Sequence, residues 1–433
     1  MNVIAIFDVG KTNKKLFLID EQYRIVWEHA GICESTTDED GDPCEDVSAL
    51  TRWIFDSLDL VCGLPDFAIC AINFAAYGAS LVYVDDFGTP LAPLYNYLKP
   101  YPKELQERLY NAYDGATGFC LATSSPALGS LNSGLQLYRI KEQQPALFEK
   151  TNKALHLPQY LSSLLTNRCY SDMTSIGCHT HLWDFSLRMY HRWLWEGSVI
   201  GKLARIREST ETLPVRKPCP IPLAGIGVHD SSAALIPYLG TRTETFALIS
   251  TGTWCITLSP FNQAPLTADE LKNDCLCYLD HMGRPVKASR LFAGFEHEQR
   301  VLRLAHQYHK SPGYAATIDF DPDCITCLQS DPPATFEEAY HLLMRDIMDK
   351  QVASTNLVLK DARVRHIFVD GGFANNKVYM HLLARAFPDR EVFAASVPQA
   401  TALGAALVIH EHWNTQPRPQ DMIGLMRYSP FTP

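Results

Sequence analysis

Three short stretches carry residues that could hold phosphate and metal. The first is DVGKTN, residues 8–13. A glycine in a tight turn lets successive backbone N–H groups approach a ligand closely, and with hydroxyls beside them they form a concavity suited to phosphate oxygens. Gly10 supplies that freedom, and Lys11, Thr12 and Asn13 complete the tip. Asp8 stands just before it. A carboxylate beside phosphates is repulsive unless a divalent cation lies between them, so on this reading Asp8 implies Mg2+. Taken alone, it is equally a turn-initiating aspartate with a local hydrogen bond. The second stretch, STGTW (250–254), repeats the pattern with Thr251, Gly252 and Thr253. Two such turns facing each other would grip a triphosphate. The third is DGGFANN (370–376), where Gly371 and Gly372 leave room for a flat ring. A glycine pair between strand and helix is also, by itself, an ordinary tight connection.

The elements around these stretches follow from periodicity. VIAIFDVG (3–10) has a counterpart in TFALISTG (245–252), which sets Asp8 against Ser250 and Gly10 against Gly252. Each is followed by a second apolar run, so two equivalent strand–turn–strand units begin two halves of the chain. HIFVDGGFANNKVYMHLLARAF (366–387) reads as a strand, a Gly-Gly turn and an amphipathic helix begun by Asn375 or Asn376. PQATALGAALVIHEHW (398–413) reads as a small-residue helix packed on a sheet. Strand-like runs at 3–8, 14–20, 68–74, 80–84, 245–250, 254–258 and 365–370 mix with helical stretches at 46–61, 102–113, 131–150, 335–360 and 376–387. The class is α/β. The Pro-rich segment 213–225 reads as an ordered connection.

Size and composition bound the rest. A chain of 433 residues with 46% hydrophobic content is expected to form two domains, each with a core. No window approaches the roughly 18 consecutive apolar residues of a membrane span. Met1 leads into a strand pattern without the regions of a signal peptide, so a cytoplasmic location is expected. The net charge of -10 argues against nucleic-acid and membrane partners but leaves room for a small anionic ligand. Of thirteen cysteines, only Cys275 and Cys277, with His281 after them, and Cys324 and Cys327 are closely spaced. A zinc site can be drawn from those five residues, but reduced, mostly buried thiols are the preferred reading.

In order along the chain, DVGKTNKK, GVHDSSAALIPYLG, STGTWCITLS and VDGGFANNKVYMHLLARAF with ATALGAALV resemble the FGGY carbohydrate kinases of the actin, Hsp70 and hexokinase superfamily. The resemblance spans about residues 3–408, and HDSSAALIPYLGTRTETFALISTGTW is most similar to the L-rhamnulokinase and L-fuculokinase branch. It implies two RNase H-like (actin-like ATPase) domains with a cleft between them: residues 1–241, holding the sugar and the first phosphate turn, and 242–433, holding the nucleotide. It implies ATP and Mg2+ as cofactors, a sugar as the small-molecule substrate, and leaves a homodimer open. By position it assigns Asp8 to the metal, Gly10, Lys11, Thr12, Asn13, Thr251, Gly252 and Thr253 to the phosphates, and Gly371, Gly372, Phe373 and Asn375 to adenosine. Asp230 falls on the catalytic base.

The chemistry of Asp230 is consistent with that assignment. A sugar hydroxyl is a poor nucleophile, and an ionised carboxylate can take its proton during phosphoryl transfer. The residues alone leave an ordinary helix N-cap, bonded to the N–H of Ala233 or its neighbour, as an equal alternative. His229 beside it either orients the sugar or simply packs. The sugar segment departs from the family pattern: NFAAYGAS (73–80) offers Tyr77, Gly78 and Ser80, and Asn96 with Tyr97 stands where related kinases often have an Arg-Asp pair. Such changes put the identity of the sugar in doubt. Tyr77, Tyr95, Tyr97, Trp183 and Phe295 are candidates for facing the sugar, with core packing as the alternative. The expected function is ATP-dependent phosphorylation of a ketose or deoxyketose hydroxyl, L-rhamnulose- or L-fuculose-like. The alternatives are a sugar-sensing relative that has lost turnover and an ATP-dependent clamp of the actin or Hsp70 type.

Overall fold

The computed structural model describes residues 1–216, 219–241, 244–326, 333–360, 362–397, 399–419 and 422–430. The chain forms two compact units. The first comprises Met1–Thr241, Cys277–Pro285 and Gln399–Met422; the second comprises Arg242–Leu276, Val286–Pro398 and Ile423–Pro433. Among the described residues no helix is long and apolar enough to cross a membrane.

In the first unit, strand β1 (Asn2–Val9) is buried on both faces, which is why its sequence is a nearly unbroken apolar run. It pairs antiparallel with β2 (Lys14–Asp20) and parallel with β4 (Ala68–Ala76), while β3 (Ile25–Gly31) pairs with β2. The path through the sheet is Thr212–Pro214, Leu223–Gly225, β4, β1, β2, β3, and the short strand Val228–His229 joins β4 at Ala75 and Ala76. The Pro-rich segment thus contributes an antiparallel pair, with residues 217 and 218 outside the described residues. Helix α1 (Val47–Cys62) is started by Asp46, whose carboxylate accepts from the N–H groups of Ser48 and Ala49. It lays Leu50, Ile54 and Leu58 on the sheet, where Phe7 and Phe74 stack at 5.7 Å. Because β1, β4 and Val228–His229 run parallel, their C-terminal ends collect Asp8, Tyr77 and Asp230, where helix α2 (Asp230–Thr241) begins, at one edge of the sheet, the place where open α/β sheets bind ligands.

The second unit uses the same motif. Strand β5 (Phe246–Thr251) pairs antiparallel with β6 (Cys255–Ser259) and parallel with β7 (His366–Gly371), whose register sets Thr251 beside Gly371. Helix α3 (Ala293–Gln307) and helix α4 (Phe336–Leu359) cover this sheet, the latter begun by a capping box of Thr335 and Glu338. Helix α5 (Lys377–Ala386) is capped by Asn376, which accepts from the N–H of Tyr379 at 3.0 Å; of the two candidate asparagines, it is the second. The helical stretch expected over 131–150 is two helices, Ser133–Gln143 and Pro145–Lys150, because Pro145 cannot continue the ladder of the first.

The small-residue helix Ala400–Val408 packs in the first unit against the helix Asp230–Thr241; Pro398, which opens that sequence stretch, lies outside the described residues. A Cβ on Gly404 would fall 1.8 Å from the carbonyl oxygen of Ala233, so only glycine permits this approach. Gly404→Ala is therefore expected to destabilise the first unit by about 1–3 kcal/mol, the scale of overpacking. Gly201→Ala, where the added methyl meets open space, is the control. Urea unfolding of both variants checks it, and equal midpoints would contradict the packing argument.

Candidate active site

Asp8 lies one residue from the end of β1, and the turn after it closes with the Gly10 N–H donating to the Asn13 carbonyl at 2.9 Å. Asp230 follows directly on Val228–His229. The two carboxyls are close enough to feel each other: burial first, then the charge of Asp230, pushes the Asp8 carboxyl up to about 7, with Lys15, its cross-strand partner, opposing. Asp230 does not make the cap contact to Ala233. Its Oδ1 accepts from the Ser231 N–H at 2.5 Å and the Ser231 hydroxyl at 3.2 Å, and His229 Nε2 stands 3.4 Å from the same oxygen. Two partly buried carboxyls with oxygen-only donors make a set that suits a hard divalent cation. Mg2+ therefore fits these residues, since its charge would compensate the burial of Asp8 and offset the repulsion from Asp230.

His229 is 2% exposed and stacks against Tyr278 with ring centroids 6.0 Å apart. A Cβ on Gly78 would lie 2.5 Å from its Nε2, so the glycine is what allows the imidazole to sit beside Asp230. Tyr97 is half-buried near the same carboxylate; burial, then Asp230 and Glu45, raise its phenol above the ordinary range.

Other expected sugar-facing residues are differently employed. Tyr77 is buried, and its hydroxyl donates to Glu45 Oε1 at 2.8 Å. Ser80 is fully buried, and the Asn96 side-chain oxygen accepts from the Leu98 N–H in a local turn. In sequence, a polar group facing a site and one folded into its support look alike. Tyr95 donates to Glu39, Trp183 packs on Tyr190, and Phe295 stacks on Phe292 in the second unit. Lys11, expected at the phosphates, has its ammonium 3.2 Å from Glu45 Oε1. Glu45 itself was not anticipated, because it ends a three-residue strand, Pro43–Glu45, too short to show a pattern.

The second unit holds a cavity of about 750 Å³, within the range of small-molecule sites. Thr251, Gly252, Thr253, Gly372, Phe373 and Asn375 all line it. Gly371 does not; it makes the bend, at φ +80°, and a Cβ there would lie 1.8 Å from the Thr251 carbonyl oxygen. Gly372, by contrast, has nothing within 4 Å of where a Cβ would be. The Thr251 hydroxyl fastens the two turns together by donating to the Asp370 carbonyl and accepting from the Phe373 N–H at 3.0 Å. The Phe373 ring is buried, stacked on Tyr379 at 4.6 Å, so only its backbone and edge are offered to the cavity.

Several lining residues escaped the sequence reading. Gly294, in the first turn of α3, lets that helix approach the Gly252 carbonyl, which a Cβ would meet at 1.7 Å; a glycine at a helix start was the available signal. His297, Tyr340 and Asn376 form a chain. Asn376 Nδ2 donates to the Tyr340 hydroxyl at 2.7 Å, which leaves that hydroxyl's proton for His297 Nε2 at 3.1 Å. Burial lowers His297 to about 4, so the imidazole is neutral near pH 7 and carries its proton on Nδ1. The zinc alternative finds no support: among the described residues only Asp38, Asp40 and Asp42 form a group close enough to hold a metal, and Lys99 already lies against all three. Cys327 lies outside the described residues.

The model of the N-terminal domain of the FGGY family of carbohydrate kinases matches residues 3–227, and that of the FGGY C-terminal domain matches residues 243–319. Rhamnulokinase from Bacteroides thetaiotaomicron is 25% identical over 49% of this chain and 44% of its own length. L-fuculokinase from Escherichia coli is 23% identical over 58% of this chain and 55% of its own. The matches thus span about half the length of these curated relatives. Among solved structures, a carbohydrate kinase from Novosphingobium aromaticivorans superposes with TM-score 0.81 at 23% identity, covering 98% of this chain and 96% of the other. A ligand-bound xylulose kinase from Lactobacillus acidophilus gives 0.78 at 15% identity, covering 100% and 94%. The likenesses of structure establish the two-domain fold, and the first family match alone takes in more than half of the residues: the chain belongs to the FGGY family of carbohydrate kinases.

Proposed function

We propose that the chain is an ATP-dependent sugar kinase that phosphorylates a hydroxyl of a ketose or deoxyketose, L-rhamnulose- or L-fuculose-like, with Asp230 as general base. The observation that carries this reading is the convergence of Asp8 and Asp230 at one end of the sheet, where burial first and then the charge of Asp230 raise the Asp8 carboxyl to about 7. A pair so placed is costly without a cation and useful with one. When bound, Mg2+ held by Asp8 supplies charge neutralisation for the phosphates of ATP. With Asp230 Oδ1 engaged by Ser231 and His229, Oδ2 is the oxygen that takes the sugar hydroxyl proton. His229, wedged beside Gly78, keeps the carboxylate from turning away. The N–H groups of Thr12, Asn13 and Thr253 serve phosphate oxygens, held by turns in which the Gly10 N–H closes on Asn13 and the Gly252 N–H on Trp254, and the cavity behind Gly372 and Asn375 takes adenosine. The relatives named for rhamnulose and fuculose support the sugar class.

A coupled ADP-release assay with pentuloses and deoxyhexuloses tests the activity. In it, Asp230→Asn should lower sugar-dependent turnover by about 10²-fold or more, the scale for losing a general base, while Mg·ATP still raises the melting temperature. Asparagine is itself a good N-cap, so near-wild-type turnover in a folded Asp230→Asn protein would remove Asp230 from the mechanism.

The nucleotide site gives a second expectation from two adjacent glycines. Gly371→Ala should cost about 1–3 kcal/mol of stability, because the bend has positive φ and no room. Gly372→Leu should leave the unliganded melting temperature near wild type and abolish most of the shift caused by millimolar Mg·ATP. Thermal denaturation with and without nucleotide reads both, and an undiminished shift in Gly372→Leu would contradict the assignment of the cavity.

A further inference from the structure

We propose that Lys11 is a sugar-contact residue: fixed by Glu45 against the rings of Tyr77 and Tyr97, its ammonium donates to an oxygen of the acceptor and not to the phosphates. The inference rests on the sugar-kinase reading and says which ligand this side chain serves. A lysine at a hairpin tip can reach forward to a phosphate or fold back. Here it is folded back, with Nζ 3.2 Å from Glu45 Oε1 and 5.3 and 5.4 Å from the centroids of Tyr77 and Tyr97. Such ring contacts attract a cation and restrict where it can move.

The ion pair is not there to satisfy Glu45. That carboxylate has a second partner, Lys14, whose side chain is 2% exposed and whose Nζ lies 3.2 Å from Oε2; Tyr77 also donates to Oε1. Lys14 is buried and cannot leave; it further donates to the Lys11 carbonyl at 3.0 Å. Glu45 is therefore balanced by Lys14 alone, and Lys11 is a surplus positive charge. Its side chain is 28% exposed, and its ammonium carries three N–H donors.

The place of this donor decides its ligand. Tyr97, one wall of the lysine, lies close enough to Asp230 for that charge to act on it. Tyr77, the other wall, is followed by Gly78, against which His229 packs beside Asp230. Lys11 is thus held on the Asp230 side of the hairpin tip, where a hydroxyl about to be deprotonated must sit. A charged donor aimed at one oxygen strengthens binding of a sugar that carries it and penalises one that does not.

The test uses the full chain with Lys11→Met, which keeps the apolar stem over both rings and leaves Glu45 paired with Lys14. Lys11→Gln serves in its place if the first variant does not fold. L-rhamnulose, L-fuculose and D-xylulose are the sugar probes and Mg·ATP the nucleotide probe, each followed by KM and by thermal shift. The expected result is a KM for sugar raised about 10-fold or more, with the KM for Mg·ATP within about 2-fold of wild type. A raised KM for Mg·ATP with unchanged sugar KM, or no change in either, overturns the proposal. If the wild type releases no ADP with any sugar, the kinase reading fails separately, and the sugar-induced thermal shift decides for Lys11. A shift lost in the variant supports the contact, whereas a shift retained, or none even in the wild type, overturns it.

Discussion

Two carboxyl groups at one edge of a single sheet impose the constraint from which the rest of the site follows. Asp8 and Asp230 are brought together by parallel pairing of β1 with β4 and of β4 with Val228–His229, so their proximity is written into the register. Burial and mutual repulsion keep a proton on Asp8 up to about pH 7, far above the range in which an unfolded aspartate loses it. The sign of the consequence is definite. Between about pH 4 and 7 the unfolded chain binds fewer protons than the folded one, so this group's contribution to stability is full at low pH and is lost as the pH rises through about 7. On the proposed reading, Mg2+ bound at this pair would restore what burial and repulsion cost near neutrality.

The second unit repeats the strand–turn–strand device without the carboxylate. Ser250 stands where Asp8 does, and the turn that follows is specialised by lack of Cβ atoms. Gly252 and Gly372 open the cavity, while Gly371 and Gly294 let backbone segments approach closely enough to build its wall. The Thr251 hydroxyl, shared between two turns, makes that wall one object. Charge handling and shape are thereby divided between two copies of one motif.

Much of this was legible in the sequence, for identifiable reasons. Strands β1 and β5 announce themselves because they are buried on both faces, and the bend at Gly371 because only glycine tolerates φ +80° with the Thr251 carbonyl so near. Helix α4 was legible over 335–360 through its spacing, and the structure adds the Thr335–Glu338 cap at its start. What stayed hidden were directions. Lys11 was placed correctly at a hairpin tip, but which way four methylenes fold depends on Glu45, a residue more than thirty positions away in sequence. Ser80 and Asn96 were polar residues in the right segment, yet burial and a local turn employ them. His297 and Tyr340 lie on amphipathic helices, whose periodicity separates core from solvent but does not mark a third face lining a cavity.

The most direct test of the account is the titration of the Asp8 carboxyl itself, followed by carbon-13 NMR of the aspartate side chains in the wild-type protein and in Asp230→Asn. Asp8 is expected to titrate at about 7 in the unliganded wild type, to move down when Asp230 is neutralised, and to fall toward the ordinary carboxylate range on addition of Mg·ATP. An Asp8 that already titrates near 4 in the unliganded protein, unmoved by the loss of Asp230, would contradict the coupling on which the proposed site is built.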